Sequence, residues 1–209
     1  MSDFDNKAKT WDNDPMKTER ARSFANVIRQ QLDNKAGKAL EFGCGTGLLS
    51  FELKDDFNSI TLVDESSGMI EVLKDKIQEH QLTHFDPQQI DILSKKSSID
   101  NNFKDFNAIY TLMTMHHVMD LEHAFKTFHN ILEKDGLLLI ADLEKEDGSF
   151  HAEHSGFKGH LGFDREELEE LLNTNGFNVE SYQKGFVIEK MVKEQTKRYP
   201  LFFITARKN

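Results

Sequence analysis

The segment Ala39-Leu40-Glu41-Phe42-Gly43-Cys44-Gly45-Thr46-Gly47 constrains the fold more than any other part of the chain. A short apolar run that reads as a strand ends in three glycines at alternate positions, and Leu48 to Leu53 then opens a helix. Glycine is needed where a turn takes φ above zero, or where a ligand must reach the backbone without meeting a Cβ. A strand, a glycine turn and a helix in that order mark a nucleotide-type site at the carboxyl edge of a parallel sheet; a tight turn with no ligand is the plainer reading of the same residues. Asp64 ends the next apolar run, 21 residues after Gly43. That is close to the separation of about 20 at which a carboxylate accepts hydrogen bonds from ribose hydroxyls, against the plainer reading of a solvated loop acid.

The rest of the chain repeats the alternation. Strands are expected at Lys38 to Phe42, Ser59 to Val63, Gln88 to Ile92, Ala108 to Leu112 and Leu137 to Asp142. Between them, Met69, Ile70, Leu73 and Ile77 form one helical stripe and Leu121, Phe125, Phe128 and Leu132 another, the latter stopped by Lys134-Asp135-Gly136. Ahead of the first strand, Asp14-Pro15 supplies an N-cap and a first-turn proline for a helix carrying Ala21, Phe24, Ala25, Ile28 and Leu32. Asp164 with Glu167 resembles a capping box for a last helix that ends at Asn175-Gly176, and Phe177 to Tyr182 and Leu201 to Ala206 complete the strands. The polar connection Ser94 to Lys104 carries little periodicity. Such alternation predicts an α/β, Rossmann-like three-layer α/β/α sandwich, with a mostly parallel seven-stranded sheet and an antiparallel last strand.

With 209 residues, one domain over 1–209 is expected. Its 36 acidic and 26 basic residues give a net charge of -10, which opposes nucleic acid and anionic membrane surfaces; Lys95-Lys96 and Lys193 to Arg198 are too short and mixed to offset it. The longest apolar run, Leu137 to Ala141, is far below the roughly 20 residues of a membrane span. Lone Cys44 has no disulfide partner, and Met1-Ser2-Asp3 does not open like a secretory signal, so a cytoplasmic protein with no membrane insertion is expected.

Glu41 to Gly47 resembles the first motif of class I S-adenosylmethionine-dependent methyltransferases. A nicotinamide fingerprint places its third glycine three positions beyond the second, where this chain has Leu48. Val63-Asp64-Glu65-Ser66-Ser67-Gly68-Met69 resembles the family's second motif, Gln89 to Ile92 its acidic loop, and Phe106 to His117 its fourth-strand motif in the small-molecule branch. Leu132 to Ile140 resembles its fifth-strand segment, and Phe4 to Asp12 the start of quinone-type C-methyltransferases. The resemblance implies S-adenosyl-L-methionine as cofactor. It places Glu41, Gly43, Cys44, Gly45 and Gly47 against the methionine part, Asp64 with Glu65 at the ribose, Asp91 and Ile92 around the adenine, and Leu112 and Met113 near the sulfonium. Met69 would cover the adenine's other face or simply pack the core. Residues 1–35 become a lid and helix, with Trp11 closing over the cofactor or packing on the surface, and residues 144–163 an acceptor-side loop.

Methyl transfer depends chiefly on alignment, so no catalytic residue is compulsory. Where the acceptor must lose a proton, imidazole is the usual base, and His117 and His151 are the first candidates among His116, His117, His151, His154 and His160. Each also reads as an ordinary hydrogen-bonded side chain. Glu19, Arg20 and Arg22 could hold a polar acceptor or form a solvated helix face. Cys44 reads as structural, having no base beside it. A metal site at His151, His154 and His160 with Asp142 is set aside, since the spacing matches no familiar pattern, and no metal is expected. The expected function is methyl transfer to a small-molecule acceptor; the alternative is a sensor or scaffold that binds the cofactor without turnover.

Overall fold

The computed structural model describes residues 3–32, 36–94, 103–152 and 156–209. Its centre is one seven-stranded sheet in the order β3-β2-β1-β4-β5-β7-β6. The strands are β1 Ala36–Phe42, β2 Phe57–Asp64, β3 Phe85–Gln89, β4 Phe106–Leu112, β5 Leu132–Leu143, β6 Phe177–Val192 and β7 Gln195–Lys208. Pairings from β3 to β5 are parallel, whereas β7 runs antiparallel to both β5 and β6. This is the expected Rossmann-like arrangement with its antiparallel last strand.

Helices cover both faces. α2 (Pro15–Gln31), α3 (Leu48–Glu52) and α4 (Ser67–Glu79) pack Phe24, Ile28, Leu49, Leu53, Ile70 and Leu73 against one face, while α5 (Leu121–Ile131) and α6 (Arg165–Thr174) bring Phe125, Phe128, Leu168 and Leu172 to the other. Parity along β1 divides the faces: Ala39 belongs to the first core and Leu40 to the second. The Asp14 carboxylate caps α2 by accepting from Met16 N, and Asp164 caps α6 by accepting from Glu166 N and Glu167 N.

Several boundaries differ from the sequence expectation. β3 lies three residues earlier than Gln88 to Ile92, because Asp91 turns the chain by accepting from Leu93 N; Pro87 is tolerated within β3 because the strand is at the sheet edge. α5 stops at Ile131, ahead of Lys134-Asp135-Gly136, and those residues lie inside the opening of β5, with Asp135 at φ 61°. β6 and β7 are far longer than expected. They form a hairpin whose turn residues Lys193 and Glu194 both have positive φ, as a two-residue turn matched to strand twist requires. The hairpin's far half returns Ile188 and Tyr199 to the core on the α2 side.

The expected loop 144–163 has its own architecture. Glu144 bridges Phe163, Lys145 N donates to Phe163 O, and Glu146 N donates to Leu161 O, so the two stems pair. A 3-10 turn at Ser149–His151 is tied to the hairpin: Lys190 Nζ donates to Phe150 O at 2.9 Å and Tyr199 OH lies 2.7 Å from Ser149 Oγ. Lys197 donates to Asp147 at 2.7 Å; hydrogen bonds from Lys197 and from Ser149 hold the Asp147 carboxyl well below the usual carboxylate range. Lys95-Lys96, most of Ser94 to Lys104, and His154 lie outside the described residues.

Candidate active site

The glycine turn follows β1 at the carboxyl edge of the sheet. Gly43, Gly45 and Gly47 have φ of 67°, 52° and 81°, a region costly for any residue with a Cβ. Gly43 and Gly45 serve different ends. A Cβ on Gly43 would lie 2.2 Å from Thr114 Cγ2, so that glycine exists for close packing within the protein. A Cβ on Gly45 would meet only Met69 Sδ and Trp11 Nε1, both at 3.9 Å, and so would project into a space flanked by those side chains. That space, with backbone beneath it, suits a ligand that approaches the chain closely.

Asp64 ends β2 beside the turn. Its Oδ2 accepts from Gly45 N at 2.8 Å and its Oδ1 from Ser66 N at 2.9 Å, which locks the turn to the second strand. Burial raises the Asp64 pKa, and burial followed by the like charges of Asp91 and Asp64 raises that of Glu65. Three acidic groups are therefore gathered where a ligand offering hydroxyl or amino donors would relieve their crowding. Asp91 makes the turn just beyond β3, and Ile92 is almost completely buried in the second core with Val63 and Phe103. Met69 is buried at the start of α4.

Glu41 lies buried near the end of β1, within reach of the charges of Asp64 and Lys76. Only 3 % exposed, its carboxylate accepts from Ser50 Oγ, which lies 2.7 Å from Tyr110 OH. Burial pushes Glu41 up to about 8. The cause is strand parity: Glu41 shares the Ala39 face, beneath α3. Cys44 is buried and its thiol is pushed up by that burial, as befits a structural cysteine.

Residues 3–13 are strapped across the site as α1 (Asp3–Lys7) and a 3-10 turn (Ala8–Asn13). Asp5 Oδ1 accepts from Ser66 Oγ at 2.6 Å and from Gly68 N at 3.1 Å; a Cβ on Gly68 would lie 2.9 Å from the Asp5 backbone. Asp12 accepts from Thr46 Oγ1 and, at 2.6 Å, from Lys76 Nζ, which also donates to Thr46 O. Trp11 is thereby held beside Gly45, with Lys17 Nζ 3.7 Å from its ring centroid and Phe4 edge-on at 6.0 Å. Asp5, Asp12, Thr46, Lys76 and Thr114 were not singled out from sequence. Only Ser66, in N-cap spacing before Met69, offered a local signal for this network.

Beyond β4 the backbone is strained. Met113 has φ 58° and is pinned by Met113 N donating to Ala141 O at 2.8 Å, while Thr114 Oγ1 donates toward Gly43 O. Positive φ at a non-glycine residue costs roughly 1–2 kcal/mol and persists where surrounding contacts over-determine it, commonly at functional sites. Leu112 and Met113 thus sit at the junction between the glycine turn and the next feature, a group of histidines.

His116 and His117 form a 3-10 turn with Met115, and the loop brings His151 to them. Ring centroids are 4.1 Å apart for His116 and His117, 5.1 Å for His116 and His151, and 5.8 Å for His117 and His151. Phe157 stacks on His151 at 3.7 Å, and Phe4 meets His117 edge-on at 5.5 Å, joining the cluster to the strap. Behind it, Asp142 at the end of β5 is fully buried and lies 2.6 Å from His116 Nδ1; it also accepts from His116 N and Leu143 N. His160 is not a member: its Nε2 bonds to Val118 O, and its backbone N donates to His116 O. Arg20, on α2, feels the charge of Asp142; burial pulls its pKa down to about 10, and its buried Nε has no hydrogen-bond partner among the described residues. No helix among the described residues is long and apolar enough to cross a membrane.

Comparison with known proteins agrees with this geometry. Residues 16–182 match a family model described as a methyltransferase domain. A malonyl-[acyl-carrier protein] O-methyltransferase of Priestia megaterium is 29% identical over 230 aligned positions, covering 98% of this chain and 78% of that protein. A ubiquinone biosynthesis O-methyltransferase of Coxiella burnetii is 29% identical over 119, covering 56% and 48%. The chain spans about half the length of several such curated relatives. The solved structure of the N-methyltransferase NodS from Bradyrhizobium japonicum, in complex with S-adenosyl-L-homocysteine, matches with a TM-score of 0.68 at 15% identity, covering 94% of this chain and 89% of that one. With a matching model over most of its length and the glycine turn, acidic strand end and sheet order that go with it, the chain belongs to the methyltransferase-domain family, in its class I, S-adenosylmethionine-dependent branch.

Proposed function

We propose that the protein transfers a methyl group from S-adenosyl-L-methionine to a small molecule bound between the strap, the end of β4 and the loop 144–163. The observation that carries this reading is the continuity of two unlike sites. A backbone cradle with crowded carboxylates runs, through the strained Met113, into a histidine cluster walled by Phe4 and Phe157. The space over Gly45 and the acids at the ends of β2 and β3 fit the cofactor's methionine part and its ribose and adenine. When bound, the cofactor supplies a methyl carbon activated by a positive sulfur. The chain's own residues then have to exclude water and align the acceptor, and positioning of this kind is worth on the order of 7 to 11 kcal/mol at best.

Trp11 and Met69 flank the cofactor space, and the ties from Asp12 to Thr46 and Lys76 keep the strap closed. His117 and His151 are the groups we place against the acceptor's nucleophilic atom. Arg20 offers an unsatisfied buried donor that feels the charges of Asp14 and Asp142, which supports an acceptor carrying a carboxylate or another strong hydrogen-bond acceptor. A cofactor-binding sensor needs no such cluster opposite the cradle, so the enzyme reading is the better supported. The experiment is a screen of small carboxylated hydroxyl, thiol and amine compounds for acceptor-dependent release of S-adenosyl-L-homocysteine. Turnover with one class, with KM raised at least tenfold by Arg20→Ala, supports the proposal; cofactor binding without turnover on any compound favours the sensor.

A further inference from the structure

The histidine cluster has a property that general acid–base chemistry does not require: its three imidazoles bring a ring nitrogen each within a few ångströms of the other two. One ring nitrogen from each of His116, His117 and His151 can be chosen so that all three lie within 4.8 Å of one another. We propose that these three histidines bind a divalent transition-metal ion, with Asp142 orienting His116 from behind. The trio differs from the one considered from sequence, because His160 is tied to Val118 and His116 and His117 arrive from the end of another strand.

Asp142 is the second, independent observation. It is fully buried, and its oxygens accept from His116 N and Leu143 N while facing His116 Nδ1 at 2.6 Å. A carboxylate so held requires Nδ1 to carry the proton, which leaves the lone pair on Nε2. A carboxylate behind a histidine in this way is the usual outer partner of a metal-bound imidazole: it fixes the tautomer and ring orientation and makes the ligand more basic. Histidine with no sulfur ligand suits zinc, cobalt, nickel or copper, and three imidazoles leave a fourth position open.

The spacing of up to 4.8 Å has to contract for an ion to be held. Zinc–nitrogen bonds of about 2.0–2.1 Å in tetrahedral geometry put ligand nitrogens about 3.4 Å apart. His116 is 2 % exposed and fixed, and His151 is stacked on Phe157, so closure falls to His117, the exposed member on a short 3-10 turn. Its role rests on the methyl-transfer reading, whereas binding of the ion does not. In that role an acceptor oxygen, nitrogen or sulfur would take the open position and would lose its proton to solvent. Its lone pair then forms the bond to the methyl carbon as the carbon–sulfur bond breaks and neutral S-adenosyl-L-homocysteine leaves. A bound ion would lower the acceptor's pKa as it does that of water.

The test uses the full chain, stripped with chelator and titrated with cobalt(II) in the absence of any cofactor. One equivalent should give the intense visible bands of a four-coordinate cobalt site, displaced stoichiometrically by zinc. His117→Ala and His151→Ala should each weaken binding at least tenfold, and Asp142→Asn by about 10–100-fold. His84→Ala, on a half-buried histidine outside the cluster and bonded to Lys54 O, should leave it unchanged. Because Asp142 is buried, its variant is interpreted only alongside an unchanged melting profile; the exposed His117 keeps the test decisive where that variant fails to fold. Absence of the bands, or binding that survives both His117→Ala and His151→Ala, overturns the metal site. A parallel titration with S-adenosyl-L-homocysteine separates the two readings: cofactor binding without cobalt binding removes the metal alone, and cobalt binding without cofactor binding removes the methyl-transfer reading alone.

Discussion

The cofactor side and the acceptor side of this site are built from the chain in different ways. On the proposed cofactor side, Gly43 to Gly47, Asp64 and Met69 lie within 27 residues of one another, and the space over Gly45 has backbone beneath it. On the proposed acceptor side, Phe4, Arg20, His116, His117, Asp142, His151 and Phe157 come from five separate segments, and the meaning of the cluster lies in how side chains meet. The first kind of site is specified by local rules: positive φ, a close approach, a carboxylate at a strand end. The second exists only once β4, β5, the loop and the strap have been packed, and so it can vary without disturbing the first.

The largest expected effect falls on the acceptor side. His117→Ala and His151→Ala should each lower kcat by about 100-fold or more while changing S-adenosyl-L-homocysteine affinity less than about threefold, read by steady-state kinetics and calorimetry. Equal losses in both quantities would erase the distinction between the two sides. Gly45→Leu attacks the cofactor side in the opposite sense. Its side chain would fill the space between Trp11 and Met69, so affinity should drop about 100-fold or more, with only roughly the 1–2 kcal/mol that a positive-φ substitution costs in stability. Retained affinity in a folded Gly45→Leu protein would contradict the placement of the ligand over that glycine.

Lys76→Ala tests the strap that spans both sides. It removes the partly buried pair with Asp12, and should weaken cofactor affinity about tenfold while leaving the sheet's melting behaviour nearly intact. The smallest effect concerns Glu41. Its pKa is raised in the folded protein by burial, to about 8, above the ordinary carboxyl value. The neutral form is therefore preferred in the fold: its contribution is fully present below the ordinary value and is lost as pH rises through about 8. Melting temperature should fall across that window, and Glu41→Gln should flatten the fall; an unaltered slope would show that Glu41 is not the group responsible.

Legibility in the sequence follows the same division. The parallel sheet, both helix layers and the caps at Asp14 and Asp164 were readable because they depend on periodicity and on residues a few positions apart. So were the glycine turn and Asp64. The end of β3 was misplaced because the apolar Ile90 and Ile92 continue past an Asp91 turn that stops the pairing. The length of the β6–β7 hairpin was missed because its far half alternates weakly and gains its burial from α2, not from the sheet. For Glu41 the strand was legible, but its bond from Ser50 and its burial beneath α3 depend on tertiary packing. The histidines were visible as candidates, yet only the fold excludes His160 and brings Asp142 behind His116.

The most direct test of the central claim is a calorimetric titration of the protein with S-adenosyl-L-homocysteine, the product form of the cofactor, which cannot be consumed. Saturable micromolar binding with one site per chain, retained in His117→Ala and lost in Gly45→Leu, is the predicted result. No binding by a folded sample, or binding indifferent to Gly45→Leu, would contradict the assignment of the glycine turn as the cofactor site.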